Sequence, residues 1–283
     1  MTWGPLRSRA PTAVPQTMES IDHTTLFAGC AFVGFLVFSS CTALAEKSLT
    51  ALAPERRPYT AACVTALLNA SCVSPLSIFA SMGFLNAVPA SGFDCSAGAT
   101  NIFKMPTSTS GIIAVGLTCG YFMADTAMLI RFPEQMKKDL GGMTQYMIMW
   151  VHHVVSLIVW PYSMLAGTAA YFVLYFMLTE VTNVGMNIYL ISREFKVKSE
   201  TVIGIVWILS FFIVRILTVP HMLYVYYKLL SQGPGACGMG AIEFGVGMLT
   251  IPIPFGLNLF WFSLMAKKIM RMFTKSKSEK KRS

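Results

Sequence analysis

Apolar residues run along this chain in long continuous blocks separated by short polar, often charged, stretches. A helix that crosses a bilayer needs about 20 mainly apolar residues. Blocks of that size fall near residues 26–45, 59–85, 109–131, 146–166, 168–191, 201–228 and 240–266. Pro75 and several Ser and Asn residues interrupt the second. Only Ala166-Gly167-Thr168 separates the fourth from the fifth, which predicts a tight helical hairpin. The blocks show no alternation of period two, so a membrane β-barrel does not fit. The pattern predicts an all-α polytopic membrane protein of seven transmembrane helices. Spans two to seven are expected to enclose a polar-lined cavity, with span one packed outside.

Composition agrees. Of the 283 residues 54% are hydrophobic and 12% charged, and the mean hydropathy is +0.59. A soluble domain carries about 25% charged residues, so a soluble enzyme and a nucleic-acid-binding domain are excluded. The net charge of +9 does not imply a polyanion partner, because 8 of the 22 Lys and Arg fall in residues 267–283. Residues 1–25 hold Arg7, Arg9, Glu19 and Asp22 but no apolar core, so they read as a loosely ordered arm before an uncleaved anchor.

Loop charge sets an orientation. Taken on alternate sides, the segments outside the blocks carry 4 Lys and Arg on one face and 17 on the other. By the positive-inside rule the richer face is cytosolic, which puts the N-terminus in the lumen and the C-terminus in the cytosol. The tail ends Lys280-Lys281-Arg282-Ser283, resembling a dilysine retrieval signal of the endoplasmic reticulum; the alternative is a basic cluster held at anionic lipid. Five of the seven cysteines lie within blocks, while Cys95 and Cys237 fall in two lumenal loops. A disulfide between those two is expected, since the lumen favours its formation.

Ionisable residues inside spans are costly and mark candidate sites. Here they are Asp125, His152, His153, Glu180, Arg215, His221 and Glu243. At about 1.5 Å per residue, Asp125 and His152 lie roughly 9 Å from the cytosolic boundary, with Glu180 and Arg215 near mid-span. Glu180, Asn183 and Asn187 share one helix face, as do His152 with Ser156 and Tyr121 with Asp125. The economical arrangement turns these faces to one cavity, Glu180 and Arg215 at its floor. Glu180 with Arg215 reads equally as a buried ion pair that fixes helix packing. No third soft ligand accompanies the paired histidines, so no metal site is expected. A retinal pump is excluded because residues 240–266 hold no Lys. A G-protein-coupled receptor does not fit either, since spans three and seven lack its Asp-Arg-Tyr and Asn-Pro-x-x-Tyr ends.

The stretch YFMADTAMLI (121–130), followed by WVHHVVSLIVWPYSML (150–165), resembles the core of the TLC domain. LTEVTNVGMNIYLI (178–191), FFIVRILTVP (211–220) and NLFWFSLMAKKIMR (258–271) extend the likeness over residues 55–272. This family includes translocation-associated proteins, longevity-assurance ceramide synthases and the ceroid-lipofuscinosis membrane protein. Ceramide synthases share the paired His but carry a His-Asp pair where this chain has Thr179-Glu180 and Asn183. The chain is therefore more similar to the TLC domain-containing branch. The division expected is a lumenal arm (1–25), a first helix (26–45), the TLC domain (55–272) and a basic cytosolic tail (273–283).

The resemblance implies a protein of the endoplasmic-reticulum membrane that binds or handles membrane lipid, sphingolipid included, in lipid homeostasis, without a cofactor. The alternative is an acyltransferase with acyl-CoA as co-substrate. His152 or His153 would then be the base, oriented by Asp125 or Glu180, with donors left to hold the oxyanion. A proton-coupled transporter rests on the buried Asp, Glu and His alone.

Overall fold

The computed structural model describes residues 22–87, 92, 102–235 and 238–280. The N-terminal arm through residue 21, the expected Cys95–Cys237 bridge and the basic end at 281–283 lie outside them. The described part holds eleven α-helices: α1 (His23–Ser48), α2 (Arg57–Ala87), α3 (Thr109–Arg131), α4 (Pro133–Leu140), α5 (Met143–Ala166), α6 (Ala170–Thr179), α7 (Val181–Glu194), α8 (Glu200–Phe211), α9 (Val219–Gln232), α10 (Ala241–Thr250) and α11 (Pro252–Lys280). Among the described residues there is no β-strand. The protein is all-α.

Six helical stretches are long and apolar enough to cross a membrane: His23–Ser48, Pro54–Asn86, Thr109–Arg131, Met143–Ala166, Glu200–Gln232 and Ala241–Lys267. The block at 168–191 is not among them because it is broken at Glu180 into α6 and α7. The block at 59–85 is one helix with Pro75 inside it. Proline removes a donor there and opens a carbonyl, while neighbouring hydroxyls bond backward, Ser74 to the Ala70 carbonyl (2.6 Å) and Ser77 to that of Val73 (2.9 Å).

Asp22 caps α1: its carboxylate accepts from the amides of Thr24 and Thr25, each at 3.1 Å. The helix then lies closely along α3. A Cβ on Gly120 would stand 2.5 Å from the Ala31 carbonyl oxygen, and one on Gly116 would stand 2.7 Å from Cys30 Cβ. Gly116 and Gly120 thus form a small-x-x-x-small seam that lets two backbones approach. The hairpin at 166–168 turns on Gly167, at φ 64°. The Gly167 carbonyl accepts from the Met105 amide (2.9 Å), and a Cβ would meet that residue's oxygen at 2.8 Å.

The loop after α3 is not extended. It holds α4, ended by Gly141 and Gly142 at φ 97° and 117°. The cysteines described, Cys30, Cys41, Cys63, Cys72 and Cys119, are unpaired; Cys63 and Cys119 are buried among apolar side chains.

Candidate functional site

Two irregular turns meet in the middle of the molecule. At the end of α6 the Thr179 hydroxyl bonds back to the Phe176 carbonyl (2.6 Å), a local bond that competes with the helical ladder. The chain tightens there. The Glu180 amide bonds Met177 O (3.1 Å), and the Asn183 amide bonds Glu180 O (2.9 Å), each three residues back. The Thr179 carbonyl is thereby turned to side-chain donors.

Opposite it, residues Phe212–Ile216 between α8 and α9 form a π-helical turn. The Leu217 amide bonds the Phe212 carbonyl five residues back (3.0 Å), a widening frequent at functional sites. The turn carries Arg215. Its Nε donates to Thr182 Oγ1 (2.8 Å), and its Nη1 to Asn258 Oδ1 (3.2 Å). Its Nη2 donates to the Thr179 carbonyl (3.0 Å) and to Asn183 Oδ1 (2.9 Å). Glu180 Oε1 stands 3.8 Å from Nη2, while the other carboxylate oxygen accepts from Asn183 Nδ2 (2.6 Å). Arg215 and Glu180 are both buried. Four of the five guanidinium hydrogens are spoken for, which is how a charge persists in a dry interior. The Glu180–Arg215 contact is therefore one part of a network joining α6, α7, the π turn and α11.

The second polar group sits on α3 and α5. His153 is 1% exposed and stacks on Phe122 with centroids 4.9 Å apart. Its Nε2 is 3.5 Å from Asp125 Oδ2, and its Nδ1 is 3.2 Å from Thr126 Oγ1. His152 points elsewhere: its ring meets Trp261 (6.4 Å) and Phe122 (5.4 Å) edge to face. Adjacent imidazoles on one helix thus have different surroundings.

A pocket of about 570 Å³ lies between the two groups. Tyr121, Asp125, His152, Glu180, Asn183, Asn187 and Arg215 are on its wall, among apolar residues such as Met149, Met186 and Leu190. The two depths read from the sequence belong to one pocket. His153 is not on its wall; it stands behind Asp125. Ser156 is also elsewhere, lining a second pocket of about 420 Å³ that shares His152 with the first. One helical turn of drift explains this, since residues four apart on a wide bundle face reach different neighbours. His221 and Glu243 lie outside the first pocket, in contact with Tyr171 Oη (3.0 Å) and with Tyr162 respectively.

Sequence reasoning missed two participants, Trp207 and Arg56. Trp207 lines the first pocket, and its indole Nε1 is buried without a hydrogen-bond partner among the described residues. Asn258, legible in the sequence as a polar residue of the last apolar block in the same cytosolic half as Asn187, bonds Arg215. Arg56, outside every block, bridges Asp139 of α4 and Glu194 of α7. Beside that bridge Met136, Leu140 and Gly141 line the pocket's end. The only signal in the sequence for Arg56 was that these three charges flank alternate loops assigned to one face.

The comparisons with curated proteins and with solved structures return no match. The family model of the TLC domain, named for TRAM, LAG1 and CLN8, matches residues 62–267, which span α2 to α11 and every residue of the pocket but Tyr59. With that match over most of its length and a helical membrane architecture, the chain belongs to the TLC-domain family.

Proposed function

We propose that this protein is a multi-pass protein of the endoplasmic-reticulum membrane that binds or handles a membrane lipid in lipid homeostasis. It crosses the bilayer seven times, α6 and α7 together making the fifth crossing, with its N-terminus lumenal and its C-terminus cytosolic. The observation that carries this reading is the pocket of about 570 Å³, mostly apolar with a few convergent polar groups, as small-molecule sites are. It lies among helices long enough to cross a bilayer.

The polar atoms still open to a ligand are informative. Arg215 is spent on its own network. The Tyr121 hydroxyl and the His152 imidazole make no hydrogen bond among the described residues, and Asp125 has only its 3.5 Å contact to His153. These groups favour a headgroup with hydroxyl or ammonium donors over an anionic one. Native mass spectrometry of the protein in mild detergent tests the reading. A retained lipid should be present, and Asp125→Asn should lower its occupancy about tenfold, the effect of losing a charged hydrogen bond. Recovery of bare protein from wild type under conditions that keep it folded would overturn it.

Acyl transfer from acyl-CoA is the second reading. It is favoured by His152, an imidazole on the wall of both pockets and so placed to act as a base. Loss of acylated product in a His152→Ala, His153→Ala double variant supports it; unchanged transfer eliminates it.

A further inference from the structure

The second pocket is a slot between α5 and the continuous helical stretch α10–α11. At one end Tyr162 of α5 donates to the Glu243 carboxylate of α10. At the other, His152 of α5 meets Trp261 of α11. Between those two pins α5 and the α10–α11 stretch scarcely touch. Ten residues of helix separate His152 from Tyr162, so the slot is about 15 Å long.

Its lining is nearly all hydrocarbon. Phe172, Val173 and Phe176 of α6 line the slot, with Val159 on the α5 side and Val246 and Leu257 on the α10–α11 side. The lips, Ile158 and Ile242, are 67% and 84% exposed on helices that are long and apolar enough to cross a membrane. Charged groups stand at the Glu243 end, where Lys104 Nζ lies 3.9 Å from Glu243 and donates to Thr168 Oγ1 (2.7 Å), with the hydroxyls of Ser156 and Thr250 between the ends. The opposite end reaches the polar pocket at His152, which lines both.

We propose that this slot is a binding site for one hydrocarbon chain of a bilayer lipid, entered sideways from the membrane between α5 and α10–α11. The inference rests on the lipid-handling reading and extends it: the headgroup occupies the polar pocket and the chain passes His152 into the slot. A gap of about 420 Å³ with apolar walls opens between apolar lips, so the surrounding solvent is acyl chains and not water. Filling it with hydrocarbon restores the dispersion contacts that an empty gap forfeits. A polar occupant fits poorly, because between its ends the slot offers little beyond the hydroxyls of Ser156 and Thr250, and that of Thr250 is already bonded to the Val246 carbonyl.

The test is photolabelling in nanodiscs of phosphatidylcholine doped with a phosphatidylethanolamine, whose ammonium supplies the donors that the polar pocket favours, carrying a diazirine midway along one acyl chain. Phe172, Val173 and Phe176 are 1%, 3% and 6% exposed, so only a chain inside the slot reaches them. Adducts on these residues, reduced about tenfold by Gly247→Phe or the milder Gly247→Leu, support the site. Gly247 lines the slot and has room for a Cβ, the nearest atom being Ile251 Cδ1 at 3.6 Å. Adducts on outward residues such as Ile205 and Leu249 should be unchanged in the variants and verify folding. Wild-type adducts confined to such outward residues would overturn the slot. A second lipid with its diazirine near the headgroup separates the two readings. Labelling of Met149 or Met186 without slot adducts keeps the lipid pocket and removes the slot; no labelling in either removes both.

Discussion

Arg215 donates to the carbonyl of Thr179 at 3.0 Å, so the distortion of one helix is bonded to the distortion of another. The break at Glu180 exposes that carbonyl, and the π turn brings the guanidinium to it. Neither irregularity is isolated. Together they let a charge sit inside a bundle with its donors satisfied, and they put Glu180 and Asn183 on the pocket wall.

Removing that charge should be severe. Arg215→Leu leaves Glu180 buried and uncompensated, at a cost of about 3–5 kcal/mol. Arg215→Lys should recover little, because a single ammonium cannot reach Thr179, Thr182, Asn183 and Asn258 at once. Thermal unfolding in detergent measures both.

The paired histidines should separate under mutation. His153 is buried and stacked, so His153→Ala should cost about 2–4 kcal/mol through the cavity and the orphaned Asp125. His152→Ala, half-buried between two pockets, should cost under about 1 kcal/mol while lowering the occupancy of retained lipid. Unfolding curves and native mass spectra on the same samples check the pair.

Arg56 holds three segments at one end of the bundle. The Asp139 side chain is 3% exposed and that of Arg56 29%. Arg56→Met should therefore cost about 1–3 kcal/mol through the stranded carboxylate, more than a surface pair would. Proteolysis near Gly141 should quicken as α4 loosens. An unchanged cleavage rate would show that the bridge does not hold α4.

The α1–α3 seam admits no side chain at Gly120. Gly120→Ala should cost at least about 1–3 kcal/mol by overpacking, and Gly120→Leu should detach α1. Gly83, where an added Cβ would meet nothing within 4 Å, is the control: Gly83→Ala should be neutral or slightly stabilising. Cysteine crosslinking between α1 and α3 reads the detachment.

Orientation is tested by sequon insertion. A sequon near Gln16 should be glycosylated and one near Lys277 should not. On the same topology, Cys95 and Cys237 share the lumenal side and should resist thiol labelling until reduced. Free reaction of both in the native protein would exclude the bond.

The apolar blocks alone determined the all-α membrane class, because a bilayer leaves the backbone little choice but helices of about 20 residues. They also exposed Asp125, His152, Glu180 and Arg215 as candidates, since each is costly where it stands. The tight turn at Gly167 was legible for a similar reason: two apolar blocks met with only Ala166-Gly167-Thr168 between them. Tertiary structure decided the rest. It set His153 behind Asp125 and His152 on the wall, gave Ser156 to the second pocket, and brought Asn258 and Trp207 to the first site's network and wall. Helices that are apolar all round carry no polar face to announce their neighbours. The partners of Arg215 come from residues 179 to 258, and such contacts are settled by how side chains and freed carbonyls meet across helices, which no local periodicity records.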